Sequence, residues 1–165
     1  MSDPDTLALE RRPGLERRDA FRAAGRMGRF NPENSGAIPD LWTWLVPRMP
    51  IPGSRGGTLG LSLPIAPAEG VFDYMAGVEM EDGAPAPEGM DVAEVPAQTY
   101  AVWRLTITGG PLHPQMQAAL GDIWGRRLKA DGLKPSGGPD FELYPPYFDQ
   151  AKAGQTVEFW IPVQA

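Results

Sequence analysis

The side chains with the clearest potential for chemistry lie on one short segment, Phe141-Glu142-Leu143-Tyr144. Successive side chains of a β-strand point to opposite faces of a sheet, so Glu142 and Tyr144 share one face, opposite Phe141 and Leu143. A carboxylate among aromatic rings in a partly desolvated site can bind a ligand cation or act as a general acid or base. From these residues alone, a Glu on a solvated strand face is the ordinary alternative.

The elements that must position Glu142 show one order in each half of the chain. Alternating apolar residues predict strands, and apolar residues at helical spacing after a proline predict helices. The second half is predicted to contain a strand over 101–108, a helix from Pro114 to a stop at Gly132, and strands over 141–144 and 157–163. The first half is predicted to contain a weak strand over 20–27, a helix from Pro39 to Pro47, and strands over 59–65 and 72–80.

These elements predict an internal duplication. Matching Phe21 to Tyr100, Trp42 to Trp124 and Leu59 to Phe141 gives offsets of 79, 82 and 82 residues, and a near-constant offset is typical of a repeated unit. The fold class predicted is α+β with two β-α-β-β modules. In this register Gly60 is the counterpart of Glu142. One half therefore contributes a charge, and the other contributes space for a planar ligand. The alternative is that Gly60 forms a bulge or is a close-packed strand glycine.

Composition bounds the domain organisation. At 165 residues the chain is long enough for a single domain, on a prior of about 150 residues per domain. No Lys or Arg occurs between Arg55 and Arg104, and the Pro- and Gly-rich stretch there predicts a linker over about 81–91. We therefore expect a first module over about 7–80 and a second over about 92–163.

Several function classes are disfavoured. The net charge of -6 provides no basic surface for a nucleic acid, and the acidic first residues and short apolar runs predict neither a signal peptide nor a membrane span. We expect a cytoplasmic protein with neither nucleic-acid nor membrane partners. The chain has no Cys and one His, His113, which we interpret as a loop or cap residue, and it has no phosphate-binding or metal-ligand motif. We therefore expect no cofactor and no metal.

Seven stretches in order resemble one bacterial family. They are Gly28-Arg29-Phe30 with Ile38-Pro39-Asp40-Leu41-Trp42, Phe72-Asp73-Tyr74-Met75-Ala76-Gly77-Val78-Glu79, Glu88-Gly89-Met90, Val95-Pro96-Ala97-Gln98-Thr99-Tyr100-Ala101-Val102, Phe141-Glu142-Leu143-Tyr144, and Phe159-Trp160-Ile161-Pro162-Val163. Together they resemble the GyrI-like small-molecule-binding family, also described as the bacterial transcription activator effector-binding domain. The match spans about residues 7–163, as in a free-standing member.

The resemblance implies two modules related by a pseudo-two-fold axis, with a ligand groove between them. It implies a binder of amphipathic aromatic or cationic small molecules, for sensing or for protection against toxic compounds, with Glu142 as the groove carboxylate. Some free-standing members resemble hydrolases of strained cyclopropane-bearing toxins, so a cofactor-free hydrolase using Glu142 as the catalytic residue is the alternative. A protein-interaction module that protects a larger enzyme rests on family analogy alone.

Aromatic residues are the remaining candidates for the site. We expect Tyr74, Trp103, Tyr144 and Trp42 to contact the ligand, although core packing is equally open for Tyr74 and Trp103 and is favoured for Trp42 and Trp124. Trp44 and Trp160 lie off the main apolar face of their elements, which predicts a groove or partner surface unless a loop covers them. Arg127 stands where many family members have an aromatic residue, and we expect it to make the groove wall more polar.

Overall fold

The computed structural model describes residues 9–149 and 151–164 and has an α+β architecture. The predicted acidic start and residues 7 and 8 of the first module lie outside the described residues. The elements are β1 (Gly14–Arg18), β2 (Phe21–Phe30), α1 (Ile38–Leu45), β3 (Thr58–Ala66), β4 (Val71–Met80), β5 (Asp91–Val95), β6 (Gln98–Thr106), α2 (Leu112–Asp122), α3 (Leu128–Ala130), β7 (Asp140–Tyr144) and β8 (Thr156–Pro162). A π-helical turn over Ile123–Arg127 joins α2 to α3.

The strands form one antiparallel sheet in the order β1-β6-β8-β7-β3-β4-β2-β5. The three strands of the first module, β2, β3 and β4, and the three of the second, β6, β7 and β8, occur in mirror-related positions about the central β3–β7 pair. This order confirms the predicted pair of β-α-β-β modules. In the central pair Gly60 lies directly opposite Glu142, so the pseudo-two-fold axis passes through the position of the candidate carboxylate.

The strands β1 and β5 were not predicted, and they join the two modules. β1 lies near the start of the first module yet pairs with β6 of the second, whereas β5 lies at the start of the second module yet pairs with β2 of the first. Both are five residues long and lie on the sheet edges, where short strands rich in charge are common. Since β5 begins at Asp91, the last residue of the predicted linker belongs to the sheet.

The sheet curls around an aromatic core on the face opposite the helices. Two strands separate β2 from β7, which in a flat sheet would place them about 14 Å apart. The rings of Phe21 and Phe141 nevertheless lie 5.5 Å apart, and Trp160 stacks on Phe141 at 5.5 Å. Trp160 is therefore a core residue, and the prediction that it marks a groove or partner surface is wrong.

Arg18 covers the aromatic core on this face of the sheet. Its guanidinium lies 4.7 Å from the centre of the Phe21 ring and 5.1 Å from that of Trp160, and it forms an ion pair with Glu79 of β4. A planar cation that is weakly hydrated stacks on aromatic faces and still pairs with a carboxylate. The contact links β1 at one edge of the sheet with the opposite half.

The helices cover the other face of the sheet. Leu45 of α1 packs with Phe30 and Tyr74, and Met116 of α2 and Ile123 of the π-helical turn pack with a cluster that includes Phe159. Arg127 is buried, forms an ion pair with Asp122 and donates a hydrogen bond to the Glu10 carbonyl oxygen. The prediction that Arg127 alters the groove wall is wrong because this ion pair and hydrogen bond hold its side chain away from the groove.

In the part of the chain that the structure describes, no helix is long and apolar enough to cross a membrane.

Replacement of Phe141 by Ala tests whether the curled aromatic core carries the stability of both modules. Phe141 is 2% exposed and contacts aromatic residues of both halves, so Phe141→Ala should lower the free energy of unfolding by about 3–5 kcal/mol. Leu15→Ala is the control, because Leu15 is 62% exposed on β1 and should change it by less than about 0.5 kcal/mol. Urea unfolding followed by circular dichroism measures both; comparable losses would contradict this account.

Candidate functional site

Glu142 is held by two tyrosines on the helix-bearing face of the sheet. The Tyr74 hydroxyl donates a hydrogen bond of 2.6 Å to Glu142 Oε1, and the Tyr144 hydroxyl lies 3.4 Å from the same oxygen. Tyr144 follows Glu142 by two residues on β7, whereas Tyr74 comes from β4 of the other module. The site is thus built from both halves of the chain, with its carboxylate at the centre of the sheet.

Trp42 completes the aromatic surround. It lies on α1, donates a hydrogen bond of 3.2 Å from its indole Nε1 to the Tyr74 hydroxyl, and packs edge-on to Tyr144 at 5.3 Å. Four of the five predicted residues therefore lie together: Glu142, Tyr144, Tyr74 and Trp42. We call the strip of the helix-bearing face along β3 and β7, with this group at its centre, the central groove. Contact of these four residues with a ligand stays a prediction.

Trp103, the fifth predicted residue, lies elsewhere. It is 0% exposed, within the core cluster formed by the second helix and β8, and its indole nitrogen has no hydrogen-bond partner among the described residues. The structure therefore places Trp103 in the core, in the same cluster as Tyr144, and its contact with a ligand stays a prediction. Trp44 is covered by two arginines, with the guanidinium of Arg26 at 5.1 Å and that of Arg48 at 4.1 Å from its ring, which explains its position off the apolar face.

Gly60 is required beneath the hydrogen-bonded pair. A Cβ atom built at this position overlaps the Tyr74 hydroxyl and Glu142 Oε1, far inside van der Waals contact. The space that the sequence predicts opposite Glu142 exists, but the Tyr74 and Glu142 side chains fill it. The prediction that this space receives a planar ligand is wrong, and the alternative of a close-packed strand glycine is confirmed.

Burial changes the protonation of this group. Removal from water raises the pKa of Glu142 to about 7, and the hydrogen bonds donated by Tyr74 and Tyr144 oppose this shift because they stabilise the charged form. Burial and the adjacent Glu142 charge raise the pKa of each tyrosine well above its usual value. Both phenols thus remain protonated donors near neutral pH, where Glu142 exchanges its proton.

A pocket of about 350 Å³ opens at one end of the central groove. Its lining includes Asp140, Ser62, Phe72 and Trp124, and Asp140 lies directly opposite Ser62 in the β3–β7 pair. Burial, together with the charge of Glu142, raises the pKa of Asp140 to about 7. An open volume bordered by a carboxylate and two aromatic rings is a suitable environment for a ligand that combines apolar area with positive charge.

Trp124 reaches this pocket because of a local irregularity in its helix. The predicted helical stripe places Trp124 in the core with Ile123, yet Trp124 is 46% exposed while Ile123 is fully buried. Both residues lie in the π-helical turn, whose wider spacing changes the direction of side chains relative to a regular α-helix. The prediction that Trp124 is a core residue is therefore wrong.

Asp140, Trp124 and Phe72 are the residues of this region that the sequence analysis missed. A signal was available for Asp140, since it precedes Glu142 by two residues and so shares its face of the strand. No comparable signal exists for Trp124, because apolar periodicity assumes a regular helix.

Among residues 9–149 and 151–164, no group of His, Asp or Glu side chains is arranged to hold a metal ion.

Comparison with known proteins gives consistent results. A family model described as Cass2, integron-associated effector binding protein, matches residues 14–163. The transcriptional regulator BrlR of Pseudomonas aeruginosa is 34% identical over 152 residues, which cover 88% of this chain and 53% of BrlR. The chain thus spans about half the length of this curated relative.

Solved structures share the fold. SAV2435 bound to tetraphenylphosphonium superposes with a TM-score of 0.74 at 20% identity, covering 93% of this chain and 94% of that chain. An integron cassette protein of Vibrio cholerae superposes with a TM-score of 0.68 at 20% identity, covering 96% and 99% of the two chains. These likenesses show that the chain shares its fold with both proteins.

Adding a methyl group at Gly60 tests its role beneath the site. Gly60→Ala should force apart the Tyr74 hydroxyl and Glu142 and lower the free energy of unfolding by about 1–3 kcal/mol. Gly14→Ala is the matched control, since a Cβ there meets nothing within 4 Å and the residue also lies in a strand. Urea unfolding measures both variants, and equal effects would refute the overlap at position 60.

The raised pKa of Glu142 predicts how stability depends on pH. Because its pKa is higher in the folded than in the unfolded chain, its favourable contribution is complete below about pH 4.5 and is lost as the pH rises through about 7. Asp140 acts in the same direction. Glu142→Gln should therefore gain stability relative to the natural protein at pH 8, on the order of 1–3 kcal/mol, and little at pH 4.5. Urea unfolding across this pH range measures the difference in the free energy of unfolding between the variant and the natural protein. Glu94→Gln, on the exposed side of β5, is the control. A difference that does not change with pH would contradict the predicted direction.

Proposed function

The chain belongs to the Cass2 family of integron-associated effector binding proteins, which carry the GyrI-like effector-binding domain, and from this premise we propose that it binds amphipathic aromatic or cationic small molecules in its central groove. The proposed role is sensing of such compounds or protection against them. Glu142 supplies the negative charge, and Tyr74, Tyr144 and Trp42 supply the aromatic surface.

One observation carries this proposal: the Glu142 carboxylate has aromatic neighbours and no basic partner. Its hydrogen bonds come from Tyr74 and Tyr144, and in the described residues no Lys or Arg forms an ion pair with it. A partly buried carboxylate without a countercharge is unfavourable, and a ligand cation removes that cost. The rings of Trp42 and Tyr144 add attraction for a cation through their π faces.

The similar proteins also support the proposal of small-molecule binding. SAV2435, which shares the fold, binds tetraphenylphosphonium, an aromatic cation. BrlR is a transcriptional regulator, and the matching region covers about half of it. For the present chain we propose the effector-binding step alone, with the downstream response left to whatever protein or segment detects the bound state.

Two probes of equal shape and opposite charge test the proposal. Tetraphenylphosphonium and tetraphenylborate differ chiefly in the sign of their charge, so calorimetric titration should detect binding of the cation and little or none of the anion. Glu142→Gln keeps the shape of the side chain and removes its charge, so it should weaken binding of the cation about ten- to a hundredfold, or roughly 1.5–3 kcal/mol.

Glu94→Gln provides the matched control, because the same chemical change on exposed β5 should leave the affinity unaltered. Trp42→Ala should weaken binding of aromatic ligands whether or not they carry charge, since it removes stacking area. Circular dichroism verifies that each variant is folded. Equal affinity of the natural protein and Glu142→Gln for tetraphenylphosphonium would remove Glu142 from the site.

A second candidate function, cofactor-free hydrolysis, is favoured by the protonation of Glu142. A carboxyl group whose pKa is about 7 is well matched to proton transfer near neutral pH, and the Tyr74 hydroxyl fixes its orientation. Glu142 would then transfer a proton to or from water or a strained cyclopropane ring. Mass spectrometry of such compounds after incubation distinguishes the two functions: recovery of unchanged compound indicates binding, and a gain of one water that Glu142→Gln abolishes indicates hydrolysis.

A further inference from the structure

The pocket at the end of the central groove contains a carboxylate that the proposed function leaves unused. Asp140 borders the open volume of about 350 Å³, together with Trp124, Phe72 and Ser62. Among the described residues, the Asp140 carboxylate accepts no side-chain hydrogen bond and forms no ion pair. It therefore lacks the tyrosine donors that stabilise Glu142.

The pocket has the composition of a cation site. Trp124 is 46% exposed and is presented by the π-helical turn, and Phe72 comes from β4 on the other side of the pocket. Pro64, Pro67 and Val71 contribute further apolar lining. An indole and a phenyl ring beside an unpaired carboxylate attract an organic cation through both its charge and its apolar surface.

The spacing of the two carboxylates sets the geometry of a ligand. Asp140 and Glu142 are two residues apart on β7 and lie on the same face, so their backbone positions are about 7 Å apart. Neither carboxylate forms an ion pair with a basic side chain in residues 9–149 and 151–164, and the charge of Glu142 contributes to the raised pKa of Asp140. A ligand with positive charge at each end would neutralise both groups at once and remove their mutual repulsion.

We infer that the Asp140 pocket is a second cation subsite, and that the ligands this groove binds best are aromatic compounds with two cationic groups about 7 Å apart. This inference rests on the proposed function, because it places one cationic group near Glu142. Asp140 and Trp124 then bind the second group and distinguish dications from monocations.

Two small probes that share one ring test the inference. The dication is p-xylylene-bis(trimethylammonium), and the monocation is 4-methylbenzyltrimethylammonium, which lacks the second charge. Displacement of a bound fluorescent monocationic dye measures both affinities at pH 8. The natural protein should bind the dication at least tenfold more tightly than the monocation.

Asp140→Asn should remove most of this dication preference, and tetraphenylphosphonium binding in this variant should still depend on Glu142. Trp124→Ala is an independent variant of an exposed residue and should reduce dication affinity at least threefold. Asp131→Asn, the same chemical change at an exposed residue after α3, is the control and should retain the full preference.

The outcomes separate this inference from the proposed function. Full dication preference in Asp140→Asn, or equal affinities of the natural protein for the two probes, overturns the second subsite, while Glu142-dependent binding of tetraphenylphosphonium still supports the proposed function. Failure of every cationic probe to bind overturns both. If Asp140→Asn proves unfolded by circular dichroism, Trp124→Ala decides: unchanged dication affinity in that variant overturns the inference.

Discussion

The hydrogen bond from Tyr74 to Glu142 over Gly60 is the contact on which the arrangement of the site depends. It joins a strand of the first module to a strand of the second at the pseudo-two-fold axis. A side chain at position 60 would occupy the volume in which the two groups meet. A duplicated fold thus becomes chemically asymmetric at its centre, because one module contributes a glycine and the other contributes the charge.

The surrounding sheet keeps this contact in place. The first strand of each module pairs with a strand of the other module, β1 with β6 and β5 with β2. Separation of the two halves would therefore break both edge pairings. The aromatic core beneath, formed around Phe141, also draws on both halves. Since Phe141 and Glu142 are neighbours on β7 with opposite orientation, the packing of one fixes the position of the other.

Charged residues are arranged so that the two carboxylates of the central groove have no ion-pair partner among the described residues. Glu79, Asp122 and Glu158 pair with arginines on other surfaces of the molecule. In the described residues Asp140 and Glu142 pair with none, although both are removed from water enough to raise their pKa to about 7. Stability alone disfavours this arrangement.

The sequence by itself determined the two modules, the main strands, both helices and the shared face of Glu142 and Tyr144, because periods of 2 and about 3.6 residues are local properties of the chain. It also gave Tyr74 and Trp42 as candidates, and the structure places both in the hydrogen-bonded group around Glu142. Only the tertiary structure decided what depends on contacts between distant segments: that β1 and β5 cross between modules, that Trp103 and Trp160 are core, that Arg127 pairs with Asp122, and that the space at Gly60 is filled. Trp124 joins this group because it lies in a π-helical turn and lines the same pocket as Asp140, and apolar spacing along a sequence contains no record of such a turn.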